Sequence, residues 1–190
     1  LASGLVLWQL ITSAIVEGAS TFTGRASLIQ NLKLPMSLHV LRLSLKNAII
    51  FAHTIIVYVV VALVFDIPVT ASTLLVIPGF IVLFFNVIWL TALSGIVCAR
   101  FRDVSAMIDT LLPMLFFVTP IMWKPEMLGS RRILADINPV MHLIAIVREP
   151  LMGRSPDALS WFFVLGFSLF GGILTWFIFS RKRRQIVFWL

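Results

Sequence analysis

Residues 74–99 read LLVIPGFIVLFFNVIWLTALSGIVCA, a stretch of 26 positions without a charged side chain. The hydrocarbon core of a bilayer is about 30 Å thick, and about 20 apolar residues cross it as a helix. Long apolar runs also occupy residues 41–65, 104–123 and 158–180, and a shorter run occupies residues 1–20. The pattern predicts an all-α fold, a polytopic membrane helix bundle whose five spans form one domain over residues 1–190.

The composition excludes several other classes of protein. Hydrophobic residues make up 60% of the chain and charged residues 12%, a balance that a soluble domain of 190 residues could not bury. The single cysteine, Cys98, excludes an internal disulfide. No G-x-x-x-x-G-K-[ST] phosphate loop occurs, and His39, His53 and His142 lack metal-ligand spacing. We therefore expect neither a catalytic site nor a cofactor in this chain.

The basic residues are distributed unevenly between the two sides of the predicted bundle. Ten of the 15 fall on one side, namely Arg25, Lys33, Arg42, Lys46, Arg100, Arg102, Arg181, Lys182, Arg183 and Arg184. The other five are Lys124, Arg131, Arg132, Arg148 and Arg154. Positive loops stay in the cytoplasm, so we expect residues 17–40 and the C-terminus to be cytoplasmic and residues 124–157 to face outward. The net charge of +7 then indicates topology and anchoring to lipid headgroups rather than binding to nucleic acid.

The first cytoplasmic connection has a helical pattern of its own. Leu28, Ile29 and Leu32 recur at helical spacing within residues 25–34, and Pro35 ends the pattern. A short amphipathic helix of this kind either rests on the membrane surface or docks on a cytoplasmic partner. The pattern alone does not distinguish these two interpretations.

The run at residues 104–123 is unusual because it contains a carboxylate and two prolines. Asp103 follows Arg102 at the cytoplasmic turn and is expected to cap the next helix. Asp109 lies about 9 Å further into the span. Pro113 and Pro120 each remove a helix hydrogen bond, so we predict a kinked helix that packs inside the bundle. Asp109 is either a partly hydrated structural carboxylate or a proton relay.

The outward segment 124–157 is too long for a simple loop. Asn138 and Pro139 are well suited to open a helix, and an apolar stripe at helical spacing continues to residue 152. Arg148 and Glu149 interrupt this stripe, so the helix is predicted to be re-entrant or to lie at the outer interface, with the charged pair facing water or headgroups.

In this order and spacing, the connections resemble the ABC-2 permeases that export polysaccharides such as O-antigen, capsule and teichoic acid. The residues that carry the resemblance are Trp8, Glu17-Gly18-Ala19, Leu28-Ile29, Leu34-Pro35, Arg102-Asp103-Val104, Thr119-Pro120-Ile121-Met122-Trp123, Asn138-Pro139, Arg148 and Leu151-Met152. That family has six spans after an interfacial helix. The chain starts with Leu1 rather than Met, so we expect it to begin within the second span and to carry about five of the six.

The resemblance implies a function and a set of partners. The chain would be the transmembrane subunit of an ATP-driven exporter of a lipid-linked polysaccharide in the bacterial cytoplasmic membrane. It would form a homodimer surrounded by membrane lipids and work with two copies of a separate ATPase subunit, which binds ATP and Mg. The alternatives are an ABC-2 exporter of drugs or small molecules and a secondary transporter coupled to protons through Asp109. A membrane acyl- or glycosyltransferase is disfavoured because no catalytic motif is present.

The resemblance also implies roles for individual residues. The helix at residues 25–34 would be the coupling helix that transmits ATPase movement, and the outward segment would hold gate helices. The apolar stripe that follows Asn138 would seal the outer mouth of a dimer pore, where nearby aromatic rings would offer stacking faces for sugars. The residues implied in ATPase coupling are Arg25, Leu28, Ile29, Leu32, Lys33, Arg102 and Asp103. Those implied in the gate or the translocation path are Asp109, Phe116, Phe117, Pro120, Trp123, Asn138, Pro139, Leu143, Arg148 and Glu149.

Overall fold

A computed structural model describes residues 2–31, 34–66, 68, 70–123, 125 and 133–190, residue 134 by its backbone only. All regular secondary structure in these ranges is helical, which confirms the all-α prediction. The helices are α1 Ala2–Ala19, α2 Ala26–Asn31, α3 Met36–Val64, α4 Val76–Arg100, α5 Asp103–Val118, α6 Ile133–Asp136, α7 Pro139–Leu151 and α8 Ala158–Trp189. Short 3₁₀ turns precede α2 at Thr23–Arg25 and α4 at Ala71–Leu75.

Four stretches of helix in the described ranges are long and apolar enough to cross a membrane: Ala2–Ala19, Met36–Val64, Ala71–Arg100 and Ala158–Trp189. Helix α5 has only 16 residues and is about 24 Å long, so it is shorter than the span expected over 104–123. It ends at Val118 because Pro120 disfavours helical geometry at Thr119, whose ψ of 129° is extended. Pro120 therefore follows the helix and does not interrupt it.

Helix α4 is the centre of the bundle and packs most closely against α1. Small residues allow this approach: a Cβ atom added at Gly18 would lie 3.0 Å from the Cα atom of Thr91. On the facing helix, a Cβ atom at Gly95 would lie 3.0 Å from the carbonyl oxygen of Gly18. Helices in membranes associate through such close packing, since lipid tails are as apolar as the side chains they would replace.

A buried polar network joins α4 to α8. The side-chain amide of Asn86 donates to the Ser168 hydroxyl at 2.6 Å, and its oxygen accepts from Trp89 Nε1 at 2.9 Å. The Trp89 ring lies over Gly171, where a Cβ atom would come within 2.5 Å of it. The Ser168 hydroxyl in turn donates a hydrogen bond to the carbonyl of Val164 at 2.6 Å, so the network is complete without water.

Helix α5 lies at the edge of the bundle, against α1 and α4. None of its residues is fully buried, and Asp109 is exposed. The prediction that this helix packs inside the bundle is therefore wrong for the single chain. The reason is geometric: α1, α3 and α8 already occupy the contact surface of α4.

The remaining elements collect at two opposite ends of the bundle. At one end Ile29 of α2 and Ile186 of α8 share an apolar cluster, and the Arg100 guanidinium lies 5.6 Å from the Trp189 ring centre. At the other end the Tyr58 hydroxyl donates to the carbonyl of Leu151 in α7. The nine described members of the larger basic set belong to the first end, as the charge pattern predicts, and the tenth, Lys33, lies outside the described residues. We call the first end the basic end and the other the α7 end.

Candidate functional site

The predicted coupling helix is shorter than expected and is divided between two environments. It consists of the 3₁₀ turn Thr23–Arg25 followed by the six residues of α2, while Leu32 and Lys33 lie outside the described residues. Ile29 is buried, whereas the adjacent Leu28 is 38% exposed. The two side chains do not share a face because neighbouring positions on a helix point apart. The prediction that Leu28 and Ile29 share one apolar stripe is therefore wrong. Ile29 anchors α2, whereas Leu28 and Arg25 remain on its free surface.

The sequence did not predict what anchors α2. The apolar run at 158–180 continues as helix through the basic cluster to Trp189, and Ile186 in this extension is fully buried. Its cluster includes Phe22, Ile29 and Ile96, so the last turns of α8 brace α2 against α4. The sequence does contain a signal for this extension. Positions 186–190, which follow the basic cluster, are all apolar, a composition typical of a packed segment rather than a disordered tail.

The second connection at the basic end contains Arg102 and Asp103, both exposed. Arg102 is the N-cap residue of α5, and Asp103 is the first residue inside the helix. No side-chain cap hydrogen bond forms at this helix start, so the predicted capping by Asp103 is wrong. Its carboxylate still stands in the first turn, where the helix dipole favours a negative charge.

A groove of about 500 Å³ runs between α1 and α5 on the outer surface of the bundle. It is lined by Trp8, Thr12, Val16, Asp109, Leu112, Pro113, Phe116 and Phe117. The ring centre of Trp8 lies 5.4 Å from that of Phe116, which lies 5.6 Å from that of Phe117. The groove is about 12 Å long, because its ends are eight residues apart on each helix. Aromatic rings thus occupy the half nearer the α7 end, and Asp109 occupies the other half.

Helix α7 begins where the sequence predicts. The Asn138 side-chain oxygen accepts from the amide of Val140 at 2.9 Å, and Pro139 takes the first helical position. The Asn138 amide group also donates to the Thr119 hydroxyl at 3.0 Å, which ties α7 to the end of α5. The helix continues through Arg148 and Glu149 to Leu151, close to its predicted end at residue 152.

The apolar stripe of α7 packs against other helices of the same chain. Leu143 is only 1% exposed and shares the main core with Leu7 and Leu83. Gly79 of α4 lies against the carbonyl of Ile146, where a Cβ atom would come within 2.7 Å. Pro150 has no amide hydrogen to offer that carbonyl. The stripe therefore holds α7 on the bundle and does not face a second copy, in contrast to the sequence-based expectation.

A cavity of about 540 Å³ opens between α7, the start of α8 and a wall formed by Thr119, Pro120 and Pro125. Arg148 projects into it: its Nη1 donates to the carbonyl of Pro120 at 3.3 Å, and its Nη2 lies 3.4 Å from Glu149 Oε1. Its buried Nε has no partner among the described residues. Arg148 and Glu149 therefore line this cavity, and the Pro120 carbonyl holds the Arg148 guanidinium in place. The Trp123 side chain folds back onto the end of α5, where its Nε1 donates to the carbonyl of Phe117 at 3.0 Å.

His142 holds the start of α8 against α7. Its Nε2 lies 2.7 Å from the carbonyl oxygen of Asp136, and its Nδ1 lies 3.0 Å from the Ser160 hydroxyl. Its ring centre is 4.6 Å from that of Phe163. Both ring nitrogens are used, so the residue has a structural role. Within the described ranges no group of three or more His, Cys, Asp or Glu side chains is placed to bind a metal ion.

The structure separates the candidate residues into three places. Arg25, Leu28, Ile29, Arg102 and Asp103 lie at the basic end. Asp109, Phe116 and Phe117 line the groove, whereas Pro120, Asn138, Pro139, Leu143, Arg148, Glu149 and Trp123 belong to the α7 end. The groove and the cavity at the α7 end are adjacent, because Thr119 and Pro120, which line the cavity, closely follow Phe117.

Comparison with known protein families identifies one match. The sequence model of the ABC-2 type transporter family matches residues 1–152, about four-fifths of the chain. The matched region includes α1 to α7 and ends just before the α8 span. None of the curated proteins matches the chain.

Proposed function

Because the chain belongs to the ABC-2 type transporter family and is a multi-pass permease subunit of an ABC transporter, we propose that it exports a lipid-linked polysaccharide. In this proposal it resides in the bacterial cytoplasmic membrane with the basic end and the C-terminus in the cytoplasm. Two copies pair with two ATPase subunits, and the ATPases bind ATP and Mg. The residues that move the glycan would then be those of the groove and the adjoining outer cavity.

The observation that carries the proposal is the aromatic half of the groove between α1 and α5. Trp8, Phe116 and Phe117 form a continuous set of ring contacts at 5.4 and 5.6 Å. Aromatic faces stack on the apolar faces of pyranose rings without requiring one sugar sequence, which suits a polymer that must slide past. A single deep pocket of the kind that holds a drug-sized ligand is not needed for such a substrate.

A second copy of the chain is proposed to complete the path. The groove lies open on the surface of the single chain, and α5 has no fully buried residue. Asp109 is exposed within this surface, and an ionised carboxylate is costly against lipid tails. Pairing of two α1–α5 faces would enclose the groove and place Asp109 in a hydrated channel.

The free surface of α2 is the proposed contact for the ATPase. Leu28 is exposed while Ile29 and Ile186 fasten the helix to the bundle beneath it. An ATPase bound to the exposed face would then be coupled to the bundle through the anchored face. Arg25, Arg102 and Asp103 at the same end would supply charged contacts around that apolar centre, and Arg148 with Glu149 would line the exit at the opposite end.

The test is replacement of Trp8 and Phe116 by alanine in the strain that produces the protein with its own ATPase. Stacking contributes about 0.5–1.5 kcal/mol per ring, so loss of two rings should lower the rate of glycan appearance on the cell surface about tenfold. Trp8→Phe keeps a ring and should retain most export. Leu111→Ala is a matched control, since Leu111 is exposed on α5 but does not line the groove.

Normal surface glycan in the double alanine variant, with normal protein levels, would contradict the proposal. If the deletion strain keeps its glycan but becomes sensitive to amphiphilic drugs, the protein is a small-molecule exporter instead. Asp109→Asn tests the energy source: export should persist and should remain dependent on ATP. Loss of export while ATPase activity is preserved would indicate proton coupling.

A further inference from the structure

A polar cleft at the basic end plays no part in the proposed glycan path. It has a volume of about 290 Å³ and lies between the end of α1, the turn that follows and the start of α3. Its lining residues are Glu17, Ser20, Thr21, Arg25, His39, Arg42, Leu43 and Lys46. His39, Arg42 and Lys46 share one face of α3 because they are three, four and seven residues apart. The sequence pattern did not predict this cleft, since Glu17 and Lys46 are 29 residues apart in the chain.

The cleft has an excess of positive charge. Glu17 pairs with Lys46, whose Nζ lies 2.7 Å from its Oε1, while its buried Oε2 has no hydrogen-bond partner among the described residues. The guanidinium groups of Arg25 and Arg42 form no ion pair with any described residue. Three cations therefore face one carboxylate, and two positive charges remain uncompensated even when His39 is neutral.

A buried polar atom in the cleft also lacks a partner. His39 is 6% exposed, and its Nε2 has no hydrogen-bond partner among the described residues. Buried side-chain nitrogens are normally satisfied by protein, water or ligand. An anionic oxygen held by Arg25 and Arg42 would supply the missing acceptor when Nε2 carries the proton.

The cleft lies at the level of the lipid headgroups. Helix α3 has 29 residues and is about 43 Å long, which exceeds the hydrocarbon thickness by about 13 Å. His39 and Arg42 lie in its first two turns, on the side of the basic end. The cleft therefore meets the surface of the bilayer, where phosphate is the commonest anion.

From this geometry we propose that the cleft binds the phosphate group of an anionic amphiphile. Arginine forms bidentate, charge-assisted hydrogen bonds with phosphate, and two arginines match a group with two or three free oxygens. Arg25 belongs to the 3₁₀ turn that leads into α2. A bound headgroup would therefore link α1, α3 and the start of α2. This site does not depend on the substrate being a glycan and stands if that proposal fails.

Native mass spectrometry of the full-length protein in detergent tests the site, with phosphatidylglycerol as the probe and phosphatidylcholine as the neutral comparison. The variant Arg25→Gln/Arg42→Gln should bind phosphatidylglycerol about tenfold more weakly, which corresponds to about 1.4 kcal/mol. The matched control Arg181→Gln/Arg184→Gln removes the same charge from the same end but outside the cleft, and should change the affinity less than twofold. Arg25→Lys/Arg42→Lys keeps the charge and should restore most of the binding.

Inorganic pyrophosphate distinguishes the two sources of the anion. Displacement of the lipid by millimolar pyrophosphate would show that the cleft recognises the free phosphate group. Retention of the lipid would show that it requires a membrane-anchored headgroup. Equal losses in the cleft variant and its matched control would overturn the proposal, because binding would then reflect only the general charge of this end. Equal affinity for phosphatidylcholine would overturn it as well.

Discussion

The brace between α8 and α2 leads to a quantitative prediction for Ile186→Ala. Ile186 is fully buried in a cluster with Phe22, Ile29 and Ile96. Helix α8 has 32 residues and is about 48 Å long, so its last turns extend beyond a hydrocarbon core of about 30 Å. The cluster therefore lies beyond the hydrocarbon core, where its side chains would meet water if the cluster opened. The hydrophobic effect, which does not operate between helices within lipid, stabilises it there.

The expected magnitude comes from the carbon atoms removed. Ile186→Ala deletes three carbons, and at about 0.8 kcal/mol each their burial is worth about 2.4 kcal/mol, before any cavity term. If α2 opens separately from the membrane spans, this change should speed amide hydrogen exchange over residues 26–31 about 50-fold. The same loosening should weaken the response of a bound ATPase to substrate.

Hydrogen exchange with mass spectrometry, on protein in nanodiscs, measures the effect peptide by peptide. Phe188→Ala is the matched control, since Phe188 lies in the same turn but is 87% exposed, and its removal should change exchange by less than about 0.5 kcal/mol. Exchange in α1 and α4 should stay as in the wild type. The reasoning is refuted if the Ile186 variant leaves α2 protected, or if Phe188→Ala exposes α2 equally.

Two further predictions concern packing and orientation. Gly79→Ala should destabilise the protein by about 1–3 kcal/mol in thermal unfolding, because its Cβ atom would come within 2.7 Å of a backbone carbonyl of α7. Gly166→Ala, with no heavy atom within 4 Å, should be neutral or slightly stabilising. In a Cys98→Ser background, an impermeant thiol reagent should label Ser155→Cys but not Ser180→Cys in intact cells. The opposite pattern would reverse the proposed topology.

The sequence by itself determined the class of fold and which end of the bundle carries most of the basic residues. A bilayer offers no hydrogen bonds to an open backbone, so long apolar runs must be helices, and their lengths could be compared directly with the membrane thickness. The uneven distribution of arginine and lysine separated the two ends. Asn138 and Pro139 marked the start of α7 because capping depends only on local backbone geometry.

Only the tertiary structure decided which face of each helix is covered and by what. Leu28 and Ile29 are equally apolar, yet Ile29 alone is buried, because Ile186 arrives from a distant part of the chain. Arg148 turns inward to a carbonyl at Pro120 that no local pattern could place beside it. Helix α5 lies at the edge because other helices already cover α4. Hydropathy identifies the solvent of a segment, whereas burial depends on neighbours that are brought together only by folding.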